Sequence, residues 1–323
     1  MAVPIAPSPS PSPLQVPTPD ASGPVGAGLD RTGLGLYALI VLVWGTSWIM
    51  IHYALGVTPV EITVALRFWL ACAIMFAIVV VRGERWRFSR ADHLWFAGMG
   101  ALIFSTNFVL FYHAGLTLAT GLLAVVFSMA TLYNMGLSVL LEGARLPARV
   151  LLGGVMGVGG LCLIFWPELR ADMGSAPAIG LALLGTLSFS LGNIAAQRVR
   201  SRGLPVIGST AWGMLYGSLF LTGAAILFTM LGWIEPVLDT RPAYWLSLIG
   251  QSVFATVTAF LTYIALLRRI GTARAGYATV MFPLIALAMS TWLEGYVWSG
   301  LAVAGLVLIL AGNVAVLTTP RRR

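Results

Sequence analysis

The sequence contains no lysine: all nineteen of its strong cations are arginines, set against eleven carboxylates, three histidines and two cysteines in 323 residues. Charged residues make up 9% of the chain and hydrophobic residues 59%. A soluble domain carries roughly a quarter charged residues to keep its surface wet. This chain cannot do so, and lipid is the expected solvent for most of it. The scarcity of acids and bases also excludes most chemistry. HExxH, GxSxG, GxGD and phosphate-loop patterns are all absent. His52, His93, His113 and every carboxylate fall near the ends of apolar runs or in loops, so no acid–base pair sits at depth. Cys72 and Cys162 lie inside apolar runs without metal spacing. No catalytic residue, metal or cofactor is expected.

What is present is a series of apolar runs of about 20 residues, the length that crosses a bilayer. Ten can be read, at 33–56, 62–81, 93–116, 119–141, 149–167, 177–198, 207–231, 244–267, 271–293 and 297–318. The net charge of +8 could suggest a nucleic-acid partner, but the arginines lie in short clusters between these runs. If the amino terminus is cytoplasmic, sixteen arginines fall inside and only Arg170 and Arg241 outside, with Arg67 left in the membrane. The positive-inside rule therefore favours ten spans with both termini in the cytoplasm, and no nucleic acid as partner. Residues 1–32, rich in Pro, Ser and Ala, lack the basic start and apolar core of a signal peptide and read as a disordered tail.

The chain repeats itself. ATGLLAVVFSMATLYNMGLSVLLEG (119–143) lies over GTARAGYATVMFPLIALAMSTWLEG (271–295) without gaps at a shift of 152 residues. Glu142 pairs with Glu294, Gly153 with Gly305 and Gly160 with Gly312; Pro59-Val60 and Pro205-Val206 correspond at a slightly different shift. Two repeats, 33–167 and 177–318, each hold five spans. An odd number inverts the second repeat relative to the first, an architecture used by secondary transporters with a site between the halves. The expected fold is all-α and integral to the membrane, with ten helices in two inverted five-helix repeats.

Arg67 lies six residues inside Glu61, in a run with no other charge. That spacing puts the two on different helix faces. Three readings of Arg67 stand: snorkelling back to the interface, bonding to neighbouring helices, or contact with an anionic or carbonyl group of a substrate. Uncharged polar residues gather near mid-span in the first, third, fourth, sixth, eighth and ninth runs. Trp44, Thr46, Ser47, Asn107, Tyr112, Asn134, Asn193, Gln251 and Tyr277, with Arg67, form the candidate cavity lining. The fifth and tenth runs are nearly pure Ala, Val, Leu, Ile and Gly and read as scaffold. Gly153 and Gly157 form GxxxG, a close-contact signal that a homodimer could use. Pro283, inside the ninth run, is a candidate hinge.

In order along the chain, WGTSW in the first run, Pro59-x₇-Arg67 opening the second, GLLAVVFSMATLYN in the fourth and LEG closing each repeat resemble the EamA-type members of the drug/metabolite transporter superfamily. The resemblance covers about 33–318. It implies carrier-type transport of small metabolites, often export of amino acids or related compounds, through a cavity between the halves. Trp44, Arg67, Glu142, Pro283 and Glu294 fall on family-typical positions. Members commonly carry proline in both the fourth and ninth spans; this chain has Thr131 opposite Pro283, a departure from symmetric kinking. The expectation is an inner-membrane carrier whose partners are a small-molecule substrate and the bilayer. A lipid or lipid-linked translocase with a laterally open groove is the alternative, and a membrane enzyme a more distant one.

Overall fold

A computed structural model describes residues 31–142, 148–171, 175–276 and 278–317. Among these residues the chain is helical throughout, without strands. The elements are α1 (Arg31–Ala54), α2 (Val60–Val81), α3 (Arg90–Ala114), α4 (Thr120–Leu141), α5 (Ala148–Ala171), α6 (Ala176–Ser201), α7 (Val206–Met230), α8 (Pro242–Leu267), α9 (Ala278–Leu293) and α10 (Gly300–Leu317). Among the described residues, seven of these (α1–α4 and α6–α8) are long and apolar enough to cross a membrane. The rest carry shorter apolar helices, Leu151–Pro167, Val280–Leu293 and Gly300–Ala315.

Local chemistry explains where the helices start. Pro59 and Pro205 stand just before α2 and α7, fixing the backbone at the entry without needing an N–H of their own. Ser89 and Asp92 close a capping box at the start of α3, and Arg202 ties Asp92 to the far end of α6 at 2.7 Å. In α3 and α8 the helix widens to π geometry, at Leu102–Thr106 and Gln251–Thr258. At the repeat shift of 152 these segments overlap. In each, a hydroxyl bonds the carbonyl five residues back: Ser105 to Gly100 at 3.0 Å and Thr256 to Gln251 at 2.9 Å. The wide turn is thus fitted with its own acceptors and donors.

Three pairs of helices at corresponding places in the two halves pack on each other: α2 with α7, α4 with α9, and α5 with α10. The last contact is reciprocal. A Cβ on Gly160 would stand 2.6 Å from the Gly305 carbonyl oxygen, and one on Gly305 would stand 2.5 Å from that of Gly160. Ile309 crowds Gly160 as Ile164 crowds Gly305, and Gly312 meets the carbonyl of Gly153. The low residue numbers of one helix face the high numbers of the other, so α5 and α10 cross antiparallel. Gly153 is therefore used within the chain, and Gly157 faces Leu132 and Met129 of α4.

Several boundaries differ from those read in the sequence. Arg31 and Thr32, expected in the tail, open α1; the rest of the expected tail lies outside the described residues. The loop expected at 268–270 is helical, since the helix of α8 continues to Gly276. Arg268 and Arg269 do not break the helix, because arginine is a good helix former. The two corresponding helices are interrupted differently. α4, which lacks a proline, is interrupted at Met129, between Thr120–Ser128 and Ala130–Glu142. α9 keeps Pro283 inside one helix.

Candidate functional site

Trp44 and Trp48 are one helical turn apart and so share a face of α1. Gly45 between them lets α1 close on α9, where a Cβ would stand 2.4 Å from Ile285 Cβ. Trp48 meets Phe111 of α3 at 5.4 Å between ring centres, Phe127 of α4 at 5.7 Å and Phe282 of α9 at 6.2 Å. Phe189 of α6 reaches Phe127 at 4.7 Å, and Tyr263 of α8 reaches Trp44 at 5.0 Å. Rings from six helices therefore meet in one cluster. Trp44, Trp48, Phe127, Phe189 and Tyr263 are only half-buried. Phe127 has ring neighbours from α1, α3, α6 and α9. Of these rings, only Trp44 was picked out from the sequence as a site residue. The others are hidden in apolar runs, where an aromatic ring looks like any core residue.

A polar layer lies beside the aromatic one. Arg67 is 5% exposed and does not snorkel. Its Nη1 donates to Gln251 Oε1 at 2.8 Å and to the Tyr112 hydroxyl at 3.3 Å, and its Nη2 to Thr256 Oγ1 at 3.1 Å. The guanidinium also sits 4.3 Å from the Phe108 ring centre, within cation–π range. Gln251 accepts from Tyr112 as well and donates to Met50 O and Ser247 Oγ. Among the described residues no carboxylate lies within ion-pair distance of Arg67. Neutral dipoles answer its charge, and its Nε has no partner. The π turn of α8 makes this possible by bringing Gln251 and Thr256 to one guanidinium.

The polar ties continue to the end of the bundle where α9 finishes, here called the Glu294 end. Glu61 pairs with His113 at 2.9 Å. Glu294 accepts from the Thr120 backbone N–H at 2.9 Å and faces His52 at 3.3 Å. Thr58 Oγ1 accepts from the backbone N–H of Asp239, and Arg241 reaches back to Leu55 O at 2.9 Å. Hydrogen bonding to the Arg241 side chain holds the Asp239 carboxyl below its ordinary value.

The remaining sequence-derived candidates divide. Tyr112 and Gln251 join Arg67. Asn107 is buried, donating to Ile103 O at 3.3 Å with its Oδ1 unpartnered. Asn193 and Asn134 bond each other across α6 and α4 at 3.4 Å. Thr46 and Ser47 bond carbonyls of their own helix, Leu42 O at 2.7 Å and Trp44 O at 2.8 Å, and join neither layer. Tyr277 lies outside the described residues. Pro283 follows Phe282, so the residue that interrupts the backbone bonding of α9 adjoins one ring of the cluster. Groups of metal-ligating side chains are absent among the described residues.

The model of the EamA-like transporter family matches the chain twice, over residues 31–166 and 176–318. The chain belongs to this family. The EamA-like chain is 26% identical over 283 residues to a protein of Salmonella typhimurium named "Probable amino-acid metabolite efflux pump", a match covering 86% of this chain and 92% of that one. Its Escherichia coli K12 namesake is 25% identical with the same coverage. Protein PagO of Salmonella typhimurium is 23% identical, over 81% of this chain and 84% of its own. A solved crystal structure shares the fold of this EamA-like chain, with a TM-score of 0.61 at 19% identity, covering 88% of this chain and 96% of that one. The EamA-like chain is thus a membrane transporter of the drug/metabolite transporter superfamily.

Proposed function

We propose that the chain is a secondary carrier of the cell inner membrane that exports small amphipathic metabolites, such as amino acids or related compounds, by alternating access. In this reading ten spans form two inverted five-helix repeats with both termini cytoplasmic, and the Glu294 end faces outward. The aromatic cluster between the repeats carries the proposal. Five half-buried rings from four helices, backed by the buried Phe111 and Phe282, suit a planar or apolar moiety. The adjoining amides, hydroxyls and guanidinium suit its polar end. The names of the two efflux-pump relatives support export and the amino-acid class. Purified protein in proteoliposomes should release labelled amino acids, with and without a pH gradient. Scrambling of labelled lipid with no movement of any small solute would sink the proposal in favour of a lipid translocase.

A further inference from the structure

The first piece of α4, Thr120–Ser128, is nine residues long, buried from Thr120 to Val126 and separated from the rest of the helix at Met129. Its N-cap, Ala119, offers no side-chain cap. The cap comes from the opposite repeat. Glu294 accepts from the Thr120 N–H at 2.9 Å through Oε2 and 3.2 Å through Oε1, and from the Thr120 hydroxyl at 3.0 Å. Ser290, one turn earlier on α9, donates to the same carboxylate and accepts from the Gly121 N–H at 2.7 Å. His52 of α1 faces Oε1 at 3.3 Å. Gly121 lets the helices come this close, since a Cβ there would stand 2.8 Å from both Leu287 Cα and Ser290 Oγ. A carboxylate on a helix N-terminus is held by charge-assisted bonds and by the helix dipole. Here those bonds run between the two halves.

We infer that Glu294 and Ser290 latch the Glu294 end shut by capping α4 from the opposite repeat. Glu142 and Ser138, their counterparts, would latch the opposite end onto Thr272 when the carrier turns over. The inference rests on the carrier reading and deepens it. The repeat supplies the same residue types in the same order: Thr120, Ser290 and Glu294 correspond at the shift of 152 to Thr272, Ser138 and Glu142. One position differs. Ala273 stands where the first repeat has Gly121, so the second latch would carry an extra methyl.

Spin-label distances on the full chain in proteoliposomes test this. Labels at Thr117 and Val297, both exposed, report the Glu294 end. Labels at Leu140 and Ala265, also exposed, report the other. Both pairs are placed in a Cys72→Ala, Cys162→Ser background. Glu294→Gln keeps the shape and an acceptor oxygen but removes the charge. It should move the Glu294-end ratio of open to closed by about tenfold, the size of one lost charge-assisted bond. Glu142→Gln should move the populations the opposite way, and Ser290→Ala should repeat the Glu294→Gln shift more weakly. Opening in the parent with no change in Glu294→Gln overturns the latch alone; shifts in the same direction for both glutamates overturn its reciprocity. If neither end ever opens, the carrier reading falls with it.

Discussion

Two helix pairs occupy corresponding places in the halves, yet they meet in opposite ways. α5 and α10 touch backbone to backbone across bare glycines, with no side chain between Gly160 and Gly305. At the Glu294 end α4 and α9 touch through a carboxylate, two hydroxyls and a single glycine. The first contact has no partner to exchange and no room to slide, which suits a fixed seam. The second is made of bonds that water could replace. The proposed carrier would hold together at the first contact while its ends open at the second.

The comparison breaks most severely at the seam. Gly160→Leu should destabilise the protein by about 3 kcal/mol, because the facing carbonyl belongs to rigid backbone and cannot move aside. Gly305→Leu should match it, read as thermal unfolding in detergent; a large difference between the two would deny the reciprocal geometry. On the exchangeable side, Arg67→Gln removes a fork that joins α2 to α3 and α8. It should cut transport at least about tenfold, and Arg67→Lys should not restore it, because a single ammonium lacks the planar fork that reaches Tyr112, Gln251 and Thr256 from two nitrogens. Transport at the parent rate in Arg67→Gln would show the polar layer to be dispensable.

Within the aromatic layer, Phe127→Leu keeps most of the volume and should cost less than about 1.5 kcal/mol of stability. The expected change is a KM for an aromatic solute several-fold higher, with little change for an aliphatic one. A smaller effect sits at the Asp239–Arg241 pair. The Asp239 carboxyl titrates below its unfolded value of about 3.9, so its contribution is complete above that pH and fades as pH falls through the lower folded value. Asp239→Asn should remove that acid-side loss from the unfolding profile while leaving the profile near neutral pH parallel to the parent. Smallest of all, Thr46→Val should stay within about 0.5 kcal/mol and leave transport intact, since its hydroxyl serves only its own helix.

The sequence reveals what is periodic and what is costly. Apolar length, arginine clustering and the 152-residue echo between LEG motifs outline the helices and the paired halves. The cost of burying a cation singles out Arg67. The partners of Arg67 were harder to read, because Gln251 and Thr256 are distant in sequence and reach it through a π turn that no residue pattern announces. Phe127, Phe189 and Phe282 were invisible for the opposite reason: in apolar runs they look like any other core residue. Thr46 and Ser47 misled because a hydroxyl in a membrane helix can satisfy itself on its own backbone. The break in α4 appears at Met129, with neither glycine nor proline there to announce it.

The π segments of α3 and α8 have a mechanical meaning. A wide turn stores one residue more than a straight helix of equal rise, and each residue is worth about 100° of rotation. Were the turn to travel one position along α8, the side chains it passes would swing round the axis while both helix ends stayed put. Gln251 and Thr256 bracket that stored residue, so the grip on Arg67 could be released by a ripple inside one helix.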